Sequence, residues 1–306
     1  MKRPRRLTAG DRVALVAPAS PFRREDLEAG VAELMRLGFE PVVDDRIFLT
    51  DRYVAGPSET RAAVIHGAWR DPSIRALVAV RGGYGSAQVL PHLDPSLLVA
   101  DPKIFLGYSD ATALLWYHLR HGVVAFHGPM VEGRLARGEA GYHRPSLLAA
   151  LTEAGPAGEL APDGLDVFAH GEAAGSLVGG TITQLGASLG TPFACDPPPG
   201  AVLFLEDVNE RPYRVDRLFT QLRQAGVLAR AAGLVLGAFP NCDEPGGQPA
   251  IRDVLRDLTR EMPGPVLFGF PSGHTPAPAW TLPFGVRARI VTRPRPRLII
   301  EEAAVS

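Results

Sequence analysis

Apolar positions along the chain follow two alternating patterns. Residues 12–17, 39–43, 74–80, 103–107 and 123–126 are short, nearly continuous apolar runs and read as strands buried on both faces. Between them the spacing changes. Leu27, Val31, Leu34 and Leu37 recur at helical intervals over 23–37, and Gly38 stops that helix. Ser58 can cap a helix reaching Trp69, and an apolar helix runs from Asp110 to about His121. Strand and helix in alternation predict right-handed βαβ crossovers and a mainly parallel sheet. The pattern loosens over 131–172, which is rich in Gly, Ala, Glu and Pro, with a short helix near 145–151. Beyond it, apolar runs at 201–205, 234–239 and 266–270 surround a helix at 213–224, and the tail (281–291 with 297–301) reads as a β-hairpin. The expected architecture is α/β in two domains. Residues 1–135 form a parallel-sheet domain, 136–172 a linker, and 173–306 a mixed, β-rich domain.

Length supports the division, since 306 residues are about two domains' worth. Apolar residues at 46% and charged residues at 21% supply a core and exclude a disordered chain. The net charge of −1 argues against a nucleic-acid partner, which calls for a surplus of Lys and Arg. The one basic run, residues 2–6, reads as a solvated tail. No apolar run reaches about 18 residues, so no membrane span is expected. Asp11 and Arg12 interrupt the N-terminus before a leader-like apolar stretch forms, which points to the cytoplasm. Cys195 and Cys242 stand far apart without a CxxC partner, so two buried free thiols are expected rather than a disulfide scaffold or zinc site.

Open α/β sheets bind ligands outside the carboxyl ends of their strands, and four such ends carry chemistry. Gly107-Tyr108-Ser109-Asp110-Ala111 joins a strand to a helix through a turn centred on a serine, a partial nucleophile elbow with Ala111 in place of the last glycine. Equally, Ser109 or Asp110 can be a simple helix N-cap. Arg81-Gly82-Gly83-Tyr84-Gly85-Ser86 lets backbone approach a ligand closely and can offer an oxyanion-hole N–H, yet it lacks the dinucleotide and P-loop spacings. Arg81 there is either a reader of a substrate carboxylate or an ordinary surface arginine. Glu206-Asp207 ends an apolar strand, where a carboxylate needs a partner. It can orient a catalytic histidine or pair with Arg211, Arg214 or Arg217. His274, in Gly273-His274-Thr275-Pro276, has the best placement of the eight histidines for a general base. His127 is the second choice. His118 and His121 share a helix at metal-compatible spacing but have no further ligand nearby, so they read as a partly buried helix face. Ser109, Glu206 and His274 follow the chain order nucleophile, acid, base.

At these residues the chain resembles a known family. RGGYGS (81–86), GYSDATALL (107–115), FHGPM (126–130), GGTITQLGASLGT (179–191), FLEDVNERPYRVDR (204–217) and GHTPAPAWTLPFG (273–285) look like the serine L,D-carboxypeptidases, the muramoyl-tetrapeptide carboxypeptidases with their microcin-immunity relatives. The likeness runs from about Asp11 to Gly285. It implies a flavodoxin-like N-terminal domain, a homodimer, and no metal or other cofactor. It implies Ser109 as nucleophile, His274 as base and Glu206 as the acid orienting it. The backbone N–H of Asp110 and one from Gly82-Gly83 would form the oxyanion hole, and Arg81 and Tyr84 would line the substrate. The implied substrate is a murein tetrapeptide losing its terminal D-Ala. The microcin-immunity type instead cleaves an amide in a peptidyl- or aminoacyl-nucleotide, using an aromatic from a longer loop. Here 131–172 is short, with Tyr142 and Phe168 as its only aromatics, which favours the murein reading. A reading of another class, a non-catalytic small-molecule binding module, has no use for nucleophile, acid and base together.

Overall fold

The computed structural model describes residues 1–306. The first part of the chain builds strands β1 (Arg12–Val16), β2 (Glu40–Val43), β3 (Ile74–Ala79), β4 (Ile104–Gly107) and β5 (Ala125–His127). Helices α1 (Arg24–Arg36), α2 (Ser58–Arg70), α3 (Ser86–Val89), α4 (Pro95–Ala100) and α5 (Thr112–Arg120) connect them. All five strands pair in parallel in the order β2-β1-β3-β4-β5. That is the flavodoxin-like order, with its switch point between β1 and β3. The strands are apolar throughout because helices cover both faces; Leu77, Ile104 and Phe126 are fully buried.

The rest of the chain adds α6 (Arg144–Thr152), β6 (Pro156–Leu160), β7 (Asp166–Ala169), β8 (Glu172–Thr181) and α7 (Ile182–Ser188), then β9 (Ala201–Glu206), α8 (Pro212–Gln224), β10 (Ala231–Leu236), α9 (Ile251–Leu258) and β11 (Val266–Phe268). It closes with β12 (Leu282–Phe284), β13 (Arg287–Val291) and β14 (Arg297–Ala303). The second sheet has the order β6-β14-β13-β8-β9-β10-β11-β7. Its centre, β8 to β11, is parallel, and its flanks are antiparallel.

Two expectations need correction. Residues 136–172 are not a plain linker: they hold α6 and both edge strands of the second sheet, β6 and β7. Edge strands need a ladder on one side only and stay half exposed, so β6 (Pro-Ala-Gly-Glu-Leu) carries little apolar pattern. The tail hairpin is β13 with β14 alone. Leu282–Phe284 leaves it and pairs antiparallel with β5, Leu282 opposite His127, as the sixth strand of the first sheet. Pro283 is tolerated because β12 is an edge. Gly285, at φ 92°, turns the chain back toward the second sheet.

Cys195 and Cys242 are free and buried. No helix is long and apolar enough to cross a membrane.

Candidate active site

The site lies where the carboxyl ends of both sheets meet. β4 ends at Gly107, and Ser109 follows with φ 61°. This left-handed conformation is unfavourable for a residue with a Cβ, and it is the turn that lifts a hydroxyl out of a sheet before a helix begins. Gly107 makes the turn possible, since a Cβ there would come within 2.9 Å of the Ala111 Cβ. Neither N-cap reading survives. Residues 109–111 form a short 3₁₀ turn whose cap position, Tyr108, makes no side-chain bond. The Asp110 carboxylate instead accepts the Ser86 N–H at 2.7 Å. Burial pushes the Asp110 pKa up, partly offset by these N–H bonds and by the buried Arg61 guanidinium.

That carboxylate pins the glycine turn against Ser109. A Cβ on Gly82 would lie 2.9 Å from both Cβ and Oγ of Ser109 and 3.4 Å from the Asp110 nitrogen. Gly83, at φ 100°, packs on Ser20 at the β1/β3 switch point. Ser20 donates its N–H to the Gly82 carbonyl at 3.2 Å and accepts the Tyr84 N–H at 3.1 Å. The N–H groups of Gly82 and Gly83 carry no intramolecular hydrogen bond. Tyr84 is exposed and meets Tyr53 edge-on, ring centres 5.4 Å apart. Arg81 is ion-paired with Glu132 at 3.2 Å and donates to the Pro21 carbonyl at 2.7 Å. It would have to leave both to hold a substrate carboxylate.

β9 delivers Glu206 with no exposed surface. Its Oε1 accepts the Thr181 hydroxyl at the end of β8. Its Oε2 accepts both the backbone N–H and the ring Nδ1–H of His274, each at 2.8 Å. Since a carboxylate only accepts, the proton sits on Nδ1 and Nε2 is left bare. Gly273 and Gly237 let the loop and strand approach so closely, because a Cβ on either would run into Glu206. Burial alone would raise the Glu206 pKa, but the His274 charge and these hydrogen bonds hold it well below the usual carboxylate range. Burial likewise works to lower the His274 pKa and is outweighed by Glu206, so the ring titrates above the ordinary 6.5. Asp207 does not share the pairing. It accepts the Thr183 N–H and hydroxyl, and burial beside Glu206 pushes it up to about 6. Of the arginines considered for these carboxylates, Arg211 pairs with Glu244 and Arg214 with Glu210, and Arg217 forms no ion pair with Glu206 or Asp207.

The surroundings of Ser109 and His274 meet across the two sheets. Tyr108, next to Ser109, packs edge-on against His274 with ring centres 5.0 Å apart. Thr112, one turn after Ser109, accepts the Thr181 N–H at 3.2 Å. Ser109 Oγ itself has no hydrogen-bond partner, so the bond expected between it and His274 is not formed. Such a contact is commonly long until substrate is bound. His127 is fully buried, donates Nδ1–H to Ser272 Oγ at 2.9 Å, and is pushed down to about 4 by burial. His118 and His121 each bond the carbonyl four residues back, as a helix face does.

Sequence reasoning missed Thr181 and Arg134. Thr181 closes an apolar run, a signal it could have used. Arg134 lies on a turn and is buried against carbonyls, which leaves no motif.

Two family descriptions match about three quarters of the chain. Residues 13–128 match the LD-carboxypeptidase N-terminal domain, and 174–290 the C-terminal domain. The chain therefore belongs to the LD-carboxypeptidase family, peptidase family S66, and is a peptidase of that class. It is 35% identical to the probable murein peptide carboxypeptidase of Bacillus subtilis, over 99% of this chain and 95% of that one. The crystal structure of muramoyltetrapeptide carboxypeptidase from Oxalobacter formigenes superposes with a TM-score of 0.83 at 30% identity, over 95% and 99% of the two chains. The microcin C7 self-immunity protein MccF in complex with glutamyl sulfamoyl guanosine superposes with a TM-score of 0.90 at 26% identity, over 99% of each.

Proposed function

We propose that the protein is a serine L,D-carboxypeptidase that releases the terminal D-Ala of murein tetrapeptides. The observation that carries this is the buried Glu206, which accepts the backbone N–H and the ring Nδ1–H of His274 and so leaves Nε2 bare, while Tyr108, next to Ser109, packs against the same ring. In this reading His274 Nε2 takes the hydroxyl proton as Ser109 Oγ attacks the carbonyl before D-Ala. The N–H of Asp110 and one from Gly82-Gly83 receive the oxyanion, each donor contributing about 3 kcal/mol. His274 then hands its proton to the leaving D-Ala amine. Water repeats the sequence on the acyl-enzyme, and Ser109 is freed. Glu206 holds the imidazole tautomer throughout and balances its transient charge.

A second reading, hydrolysis of a peptidyl- or aminoacyl-nucleotide, draws support from the likeness to the microcin self-immunity protein. Against it, both aromatics of 131–172 are occupied. Tyr142 is buried with its hydroxyl on Glu33, and Phe168 stacks on Phe268. Neither is free to stack on a base.

Ser109→Ala should cut D-Ala release by at least about 10³-fold with the melting temperature unchanged, and undiminished release would sink the assignment. A panel of murein tetrapeptide, pentapeptide and aminoacyl-adenylate analogue separates the two readings, with the tetrapeptide expected to turn over fastest. Action in the cytoplasm and as a homodimer belongs to the same proposal.

A further inference from the structure

Arg134 follows β5 on the first half of the chain, yet its guanidinium is buried in the second half's loop. It donates to the Gly273 carbonyl at 2.8 Å and the Thr275 carbonyl at 2.9 Å, on either side of His274. Longer contacts, at 3.4 Å, reach Ala277 and Gly141 carbonyls and the Tyr108 hydroxyl. No carboxylate pairs with it. A buried cation satisfied only by neutral oxygens is costly unless its geometry is used. Here each short bond grips the backbone of the residue before or after the base, and the Tyr108 hydroxyl ties the same group to the residue before the nucleophile.

We infer that Arg134 is a positioning residue that clamps the 273–277 loop to the first sheet and so sets His274 against Ser109. The inference rests on the reading of His274 as base. The planar guanidinium suits this task because its fixed fork of donors holds several carbonyls at set positions, whereas an ammonium is a compact point charge on a flexible stem. Its charge has a second effect. His274 faces the carboxylates of Glu206 and Asp207, which favour the imidazolium, the neutral ring of His127 and the neutral phenol of Tyr108. The Arg134 guanidinium also faces it, and it opposes the carboxylates. It thereby keeps more of the imidazole in the unprotonated form that a base requires.

The test compares Arg134→Lys and Arg134→Met with the unaltered enzyme on tetrapeptide, and titrates the His274 ring in each by NMR, assigned by difference from His274→Gln. Arg134→Lys keeps the charge and loses the fork. It should lower kcat at least about tenfold with KM within about twofold, and leave the ring titration in place. Arg134→Met should lower kcat about 100-fold or more and move the ring titration to higher pH, with guanidinium in the buffer restoring part of the rate. A Lys variant as fast as the unaltered enzyme overturns the positioning role. An unmoved titration in the Met variant overturns the electrostatic one. Should the Met variant not fold, the kcat of the Lys variant decides. If the unaltered enzyme releases no D-Ala, the proposed function fails and the positioning role with it, whereas the ring titrations still judge the electrostatic one.

Discussion

Ser109 spends about 1–2 kcal/mol of backbone strain to stand its hydroxyl clear of the sheet. The space in front of it is kept open by one missing methyl group. Gly82→Ala would place a Cβ 2.9 Å from Ser109 Oγ, in the path of an oxyanion. We expect kcat to fall about 100-fold with little change in thermal stability, and a stable, fully active alanine variant would remove the glycine turn from the oxyanion hole. Glu206 has a different signature. His274 must be neutral to accept a proton, and Glu206 raises its pKa, so kcat/KM should drop on the acid side of a midpoint above 6.5. Glu206→Gln removes the charge that raises the midpoint, so that limb should move to lower pH while kcat falls by about 10⁴-fold. A limb that stays in place would mean that another group is being titrated.

At the level of elements, the parallel strands were legible because burial on both faces leaves an uninterrupted apolar run, and the chemistry followed at their ends. Glu206 and His274 were readable as partners for that reason. The edge strands β6 and β7 were not, because one-sided pairing asks for no such run, and Pro283 disguised β12 as part of a hairpin. Arg134 had no signal at all, since a guanidinium satisfied by carbonyls depends on where the backbone goes. β12 is held by Leu282 and Phe284, both fully buried. Phe284→Ala should cost about 3–5 kcal/mol and is checked by denaturant unfolding. A loss under about 1 kcal/mol would mean that β12 is not anchored there. Asp110→Asn weakens the acceptor that holds the glycine turn through Ser86. A drop in kcat of about tenfold at unchanged KM is expected, and unaltered kcat would show that the turn orders itself.

For the whole molecule, the candidate site draws on both sheets, and the second half of the chain lends β12 to the first sheet. A fragment ending at residue 135 lacks β12 and exposes the β5 edge beside Phe126. Such an edge invites pairing between copies, so sedimentation of the fragment should reveal aggregates, and a soluble monomer would contradict the dependence. The placement of β12 also bears on how substrate enters. Only seven residues separate His274 from Leu282, so His274 is moored to the sheet that carries Ser109. Swinging the two sheets apart like covers of a book would first tear that mooring. Admission of a peptide must then be the work of side chains and short loops around a fixed frame, and small-angle scattering should give the same radius of gyration with and without a bound substrate analogue.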